Sequence, residues 1–270
     1  MERFFTESVM VSRRKIMSGM WVFAIFIAMA ENCYGLNIVQ GGLPGMQCAV
    51  WALISAPVVI YGIRSIVKAL KKSKRNITMM GLAGSFVFVL SALKIPAVPE
   101  CCSHMAGTGM GAIMFGPFVT SVMGIVVLVL QAIFVNRGGF ATIGANTFSL
   151  GIAGPVAAYL SYGYLTSKKV DKRKAIVAAT FIGNMGTCIT TAIQLAISNP
   201  ENMEGFGMAF GTYMAHFLPT QVPLAFAEGV LTVLVLDGIN KFERNALNSV
   251  GFYMEYQDDM EKSENGDKTD

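Results

Sequence analysis

Four side chains that can bind transition metals fall within five residues: Cys101, Cys102, His104 and Met105. Imidazole nitrogen suits first-row divalent ions, whereas thiolate and thioether sulfur select Cu(I) or Zn²⁺. Two readings of this run stand. One is a thiol-rich site on the adjacent cysteines. The other is a histidine site beside cysteines that bind nothing, because zinc sites normally space their cysteines apart. The second histidine of the chain, His216, precedes Pro219 and reads as a superficial loop residue. The five cysteines are odd in number and irregularly spaced, so they are no disulfide framework. The zinc-protease pattern H-E-x-x-H is absent, which leaves an intramembrane metalloenzyme little support. The phosphate loop G-x-x-x-x-G-K-[ST] is absent too, so this chain does not hydrolyse ATP for itself.

Glu228 lies in the middle of the apolar run PLAFAEGVLTV. A carboxylate at that depth is costly and must face the protein interior with a partner. Pairing with Lys94, or acceptance of backbone hydrogen bonds, would meet that need. A role in tuning a site or coupling ion release is the functional alternative. Asn146, Asn184, Thr187, Gln194 and Gln221 are also embedded among apolar residues, where helix–helix hydrogen bonds explain them.

The elements that carry these residues follow from composition. Of 270 residues, 53% are hydrophobic and only 14% charged, and mean hydropathy is +0.53. Soluble domains are nearer one quarter charged. A disordered chain is excluded and a soluble enzyme disfavoured. The apolar runs are too long for barrel strands, which points to an all-α polytopic membrane protein.

Charge placement sets the topology. Six Lys and Arg lie between residues 64 and 75, and five more between 168 and 174. Such short basic loops stay cytoplasmic. The net charge of +4 carries no further information, and nothing points to nucleic acid. Apolar segments span 46–67, 77–94, 107–135, 142–166, 175–197 and 206–239. Six single crossings would put the second basic loop outside. The segment 107–135 contains Gly116-Pro117, a helix breaker. Divided there, it gives a short glycine-rich piece, 107–116, and a full helix, 118–135. About seven transmembrane segments then satisfy both loops, the last covering about 219–239 and ending inside. Broken helices at membrane depth are tolerated only inside protein and mark substrate sites in transporters. Tight glycine packing is the alternative. The tail 241–270 is read as cytoplasmic and disordered, with seven acids in its last 16 residues.

The run ALKIPAVPECCSHMAGTGMGAIMFGPFVTSVMG resembles the CbiM/NikM family, the substrate-capture membrane components of energy-coupling-factor transporters for cobalt and nickel. GGLPGMQCAVWALISAPVVIYG, ATIGANTFSLGIAGPVAAYL and TQVPLAFAEGVLTVLV resemble its other segments, in order, across residues 36–240. The resemblance implies seven helices and a multi-pass protein of the cell membrane. Its expected partners are a second transmembrane coupling subunit, two cytosolic ATPase subunits and a small accessory membrane protein. It implies no resident cofactor. The transported ion would be cobalt first, linked to cobalamin synthesis, and nickel second.

In the family the leader is removed, and the new N-terminus enters the helical core. Its amine, the second residue's backbone nitrogen and imidazole, and the histidine of the SH-x-x-GTG motif bind the ion. Carried onto this chain, the set is Leu36 through its amine, Asn37 and His104. The family's MHIMEGFLP reads LNIVQGGLP here, so Asn37 replaces an imidazole. Cys102 falls on a cysteine position of the family and is the alternative ligand. The site is thus expected to bind more weakly, to take another metal, or to have become a sensor that retains the fold. Ala52-x-x-x-Ala56 matches the small-residue faces on which the wider family docks its coupling subunit, and such pairs also pack helices internally.

Arg13, Arg14 and Lys15 precede the apolar stretch Met20–Ala30, and small residues follow at Cys33 and Gly35. That layout reads as a secretory signal or an uncleaved signal anchor over residues 1–35, with Leu36 outside. Cleavage after Gly35 is expected. Intact-mass measurement of the membrane-extracted protein checks it: the mature chain begins at Leu36, and a mass that retains residues 1–35 contradicts it.

Overall fold

The computed structural model describes residues 34–35, 37–38, 41–72, 75–93, 95–96, 101–135, 138–198 and 205–242. Among these, seven helices follow in order: α1 (Gly45–Lys72), α2 (Arg75–Ala92), α3 (Thr108–Phe115), α4 (Pro117–Phe134), α5 (Ile143–Ser167), α6 (Lys172–Ser198) and α7 (Phe206–Phe242). Five of them are long and apolar enough to cross a membrane, and Ile77–Ala92 within α2 is a shorter apolar helix. The all-α polytopic architecture, with one short glycine-rich segment, is the one the basic loops require. The leader through Cys33, Leu36, Lys94 and the tail from 243 lie outside the described residues.

Helix α3 has eight residues and rises only about 12 Å, less than half of a hydrocarbon core about 30 Å thick. Two glycines fix its ends. Gly107 and Gly116 have φ of +71° and +81°, a region glycine enters without steric cost. Pro117 then opens α4 at a position where its missing donor costs nothing. Residues 108–114 are all buried, so protein rather than lipid surrounds the broken backbone. Contact with α6 is close enough to demand glycine. A Cβ on Gly109 would lie 2.7 Å from Thr180 Cγ2 and 3.1 Å from its Cα.

One apolar cluster gathers Ile66 and Ala69 of α1, Met79 and Met80 of α2, Leu165 of α5, Ala175 and Ile176 of α6, and Leu236 of α7. The described residues of the basic stretches, 64–72, 75 and 168–174, therefore sit at one end of the bundle. An ion pair between Arg173 and Asp237, 3.0 Å long, joins α6 to α7 there. A second cluster, with Ile38, Leu43, Ala145, Leu195 and Phe217, marks the other end. The segment at Asn37 and Ile38 is thus remote from the basic loops.

Three features differ from the sequence reading. Strands β1 (Tyr34–Gly35), β2 (Ile95–Pro96) and β3 (Cys101–Ser103) form a small sheet in the order β1-β3-β2. Strands of two or three residues carry too little periodicity to read. Helix α5 contains a π-helical stretch, Thr147–Ala153. Helix α7 starts at Phe206, not near 219, and runs through Pro219 and Pro223. Membrane helices tolerate proline where neighbouring groups re-satisfy the backbone, and α6 packs along α7. His216 is consequently an exposed helical residue rather than a loop residue, with Nδ1 2.7 Å from the Thr212 carbonyl. Ala52 of α1 is exposed and also meets α5, since a Cβ on Gly144 would fall 2.5 Å from its Cα.

The shared position of the basic loops generates a labelling prediction. Single cysteines placed at Lys71 and Lys169, in a background without native cysteines, resist an impermeant thiol reagent added outside intact cells. Labelling of either one contradicts the orientation.

Candidate functional site

The segment Ser103–Gly107 crosses the interior as non-helical backbone between β3 and α3, and all five residues are buried. Such a segment must find its hydrogen bonds elsewhere. Glu228 of α7 supplies two of them. The Ala106 N–H donates to its Oε2 at 2.8 Å and the Gly107 N–H to its Oε1 at 2.9 Å. Asn184 of α6 adds its Nδ2, 2.6 Å from Oε2. The carboxylate is fully buried, and three donors replace its hydration. Of the two structural partners considered for Glu228, backbone amides are present, and Lys94 lies outside the described residues.

A second chain of bonds starts from Asn184. Gln221 Nε2 donates to Asn184 Oδ1 at 2.6 Å and to the His104 carbonyl at 2.9 Å. Helices α6 and α7 therefore hold both an acceptor and two donors of the loop that carries His104. Ser103 Oγ is hydrogen-bonded to Thr220 Oγ1 on the same helix. With both Nε2 hydrogens committed, Gln221 Oε1 is a buried acceptor with no partner.

His104 is completely buried. Its Nδ1 lies 3.0 Å from the Met105 carbonyl. A carbonyl only accepts, so the proton sits on Nδ1 and Nε2 carries the lone pair. This is the tautomer in which an imidazole with an oriented second nitrogen ligates a metal.

Asn37 approaches from the N-terminal side. Tyr34 pairs with Cys101 and Gly35 with Cys102 in parallel register. The segment is clamped by side chains. Ile38 N–H donates to Asn146 Oδ1 at 2.8 Å, and its carbonyl accepts from Asn146 Nδ2 at 3.0 Å and Thr142 Oγ1 at 2.8 Å. Asn37 is buried at 2% exposure, and its Nδ2 donates to Gln131 Oε1 at 2.9 Å. Gln131 Nε2 in turn donates to Ser91 Oγ, which donates to the Val87 carbonyl.

Of the residues singled out from sequence, His104, Glu228, Asn184 and Gln221 thus form one network, and Asn37 and Asn146 a second beside it. Leu36 is outside the described residues, and Cys101 and Cys102 are placed by backbone only, in β3. Among the described residues no group of three or more His, Cys, Asp or Glu converges on one point. Sequence reasoning passed over Gln131, Ser91 and Thr142. Gln131 is the lone polar residue of VLVLQAIF, a usable signal lost because it stands near a helix end.

Comparison with known proteins places these residues in context. The family profile CbiM, described as "Cobalt uptake substrate-specific transmembrane region", matches residues 37–246. A "Cobalt transport protein CbiM" from Lachnoclostridium phytofermentans is 44% identical over 229 residues, covering 85% of this chain and 92% of that protein. Its namesake from Desulforamulus reducens is 43% identical over 220 residues, 82% of this chain and 87% of the relative. A crystal structure of a truncated transition metal transporter shares the fold with a TM-score of 0.69 at 22% identity, over 76% of this chain and 98% of the other.

The Glu228 cluster makes a stability prediction. Glu228→Gln turns an amide donor toward groups that already donate, and leaves at least one buried N–H unmatched. A loss of about 2 kcal/mol is expected, read as a lower thermal unfolding midpoint of the detergent-solubilised protein. An unchanged midpoint contradicts the assignment.

Proposed function

The chain belongs to the CbiM family of cobalt-uptake transmembrane proteins, and from that premise we propose that it captures a divalent transition-metal ion for import, cobalt first and nickel second. The observation that carries the reading is His104. It is a buried imidazole, proton on Nδ1, on a loop held by Gln221 and Glu228 of α7. The nitrogen of a neutral imidazole is a ligand for such ions.

On this reading His104 Nε2 binds the ion together with the backbone at Leu36 and Asn37. The Leu36 amine takes part once the leader is removed, and Cys102 is the alternative ligand. The capture site lies at the end of the bundle opposite the basic loops. By the positive-inside rule that end faces outward, and the C-terminal end of α7 faces the cytoplasm. The chain has no phosphate loop, so the work of import falls to partners. These are a second transmembrane coupling subunit and two cytosolic ATPase subunits of an energy-coupling-factor transporter, with a small accessory membrane protein. A link to cobalamin synthesis follows if cobalt is the cargo.

Uptake of labelled metal by cells that co-express the partner subunits tests the proposal. Wild-type protein accumulates cobalt, and His104→Ala abolishes accumulation while still inserting in the membrane at wild-type level. Equal uptake by the His104→Ala variant contradicts the capture role, as does absence of uptake by the wild type.

A further inference from the structure

Helices α6 and α7 pack closely where Gly229 faces Val177, since a Cβ on Gly229 would lie 3.0 Å from the Val177 Cα. On their outer side they leave a groove of about 550 Å³, a volume in the range of ligand sites. One end lies at Arg173, beside Asp237, and the other at Phe181 and Phe226. Phe226, Val230 and Leu234 recur four residues apart and so share one face of α7. That face is turned outward, with Phe226 and Leu234 59% and 61% exposed. Glu228 is buried on the opposite side, so the groove is separate from the network around His104.

The groove is apolar along its walls and charged at its mouth, where Arg173 and Lys174 line it. Lys168, Lys169 and Lys172 add positive charge nearby. The two acids at this end are already engaged. Asp237 Oδ2 lies 3.0 Å from Arg173 Nη2, and Asp171 Oδ1 accepts the Lys174 N–H at 3.2 Å. A guanidinium has five donors, so the pair with Asp237 orients Arg173 without exhausting it. A second groove, of about 610 Å³ between α2 and α4, is lined by no charged residue. Charge at the mouth is thus particular to the groove of α6 and α7.

Length decides the occupant. The stretch from Arg173 to Phe181 rises about 12 Å, close to one leaflet of a hydrocarbon core about 30 Å thick. A partner's transmembrane helix would follow the whole thickness, whereas an acyl chain enters one leaflet only. We propose that this groove binds one anionic phospholipid of the cytoplasmic leaflet. Its phosphate sits at Arg173 and Lys174, and an acyl chain lies between α6 and α7 as far as Phe181 and Phe226. The choice of leaflet rests on the orientation proposed above, and ion capture plays no part in it. Basic pockets between helices on the cytoplasmic side suit such headgroups, and that leaflet is the anionic one. The lipid then bridges the two helices that carry Asn184 and Glu228.

Quenching of a tryptophan by brominated acyl chains tests the site, because bromine quenches only at contact. The full chain carries Phe226→Trp as its reporter, with Trp21→Phe and Trp51→Phe removing the native signal, in phosphatidylcholine vesicles. Brominated phosphatidylglycerol quenches the reporter half-maximally at a mole fraction at least about fivefold below that of brominated phosphatidylcholine. Arg173→Gln with Lys174→Gln brings the two lipids together. Lys174→Gln alone leaves the pair of Arg173 with Asp237 in place and reduces the preference part of the way. Equal quenching by both lipids in the reporter protein overturns the headgroup site. A preference that survives the double substitution overturns the assignment to Arg173 and Lys174. A preference abolished by added inorganic phosphate, at constant ionic strength, identifies a free-phosphate site and overturns the lipid. Quenching by neither lipid means that protein, a second copy or a partner helix, covers the groove, and overturns the proposal.

Discussion

A carboxylate buried among membrane helices is the constraint on which the rest of the site depends. Glu228 is fully buried, and the groups that compensate it are two backbone amides and one side-chain amide. The need is mutual. The backbone at Ala106 and Gly107 belongs to no helix or strand, and in a bilayer interior unsatisfied amides cost several kcal/mol each. An acid that α7 could not otherwise bury, and a loop that lipid could not otherwise accommodate, each satisfy the other. His104 is carried on that loop, so the position of its backbone follows from this exchange.

The glycines serve the same end. Gly107 and Gly116 terminate α3 in conformations that other residues adopt at a cost. Gly109 lets the short helix rest on Thr180 of α6. The result is a segment that enters the bundle, turns and leaves without exposing its backbone to lipid. On the other side, Asn146 and Thr142 treat Ile38 as a neighbouring strand would, meeting both its amide and its carbonyl. Polar side chains thereby replace a sheet edge that the bundle has no room to build. Amide groups suit this task because each offers a donor and an acceptor, and a chain of them transmits a direction. Starting from the Val87 carbonyl or from the Glu228 carboxylate, every amide in the two networks has one permitted orientation.

Much of the architecture is legible in the sequence because charge and length obey few rules in a bilayer. Two basic loops and one Gly-Pro step suffice for seven segments, and the break at Gly116-Pro117 falls where the chain turns. Glu228 was legible as a group needing partners, since no charge stands alone at that depth. Which groups answer it was not, because Ala106 and Gly107 lie more than a hundred residues away. The prolines of α7 misled for a related reason. The local rule makes Pro219 a helix start, but packing along α6 decides instead. Asn37 was readable as a departure from its family, though only the structure shows its amide donating to Gln131 Oε1.

The central claim is that Glu228 supports the loop of His104 directly through main-chain amides. Residue-resolved amide hydrogen exchange of the purified protein addresses it, since exchange reports the opening of individual bonds. The account predicts that Ala106 and Gly107 are protected to the degree of amides inside α6, although no helix contains them. Exchange at the rate of an exposed loop at those two residues would contradict it.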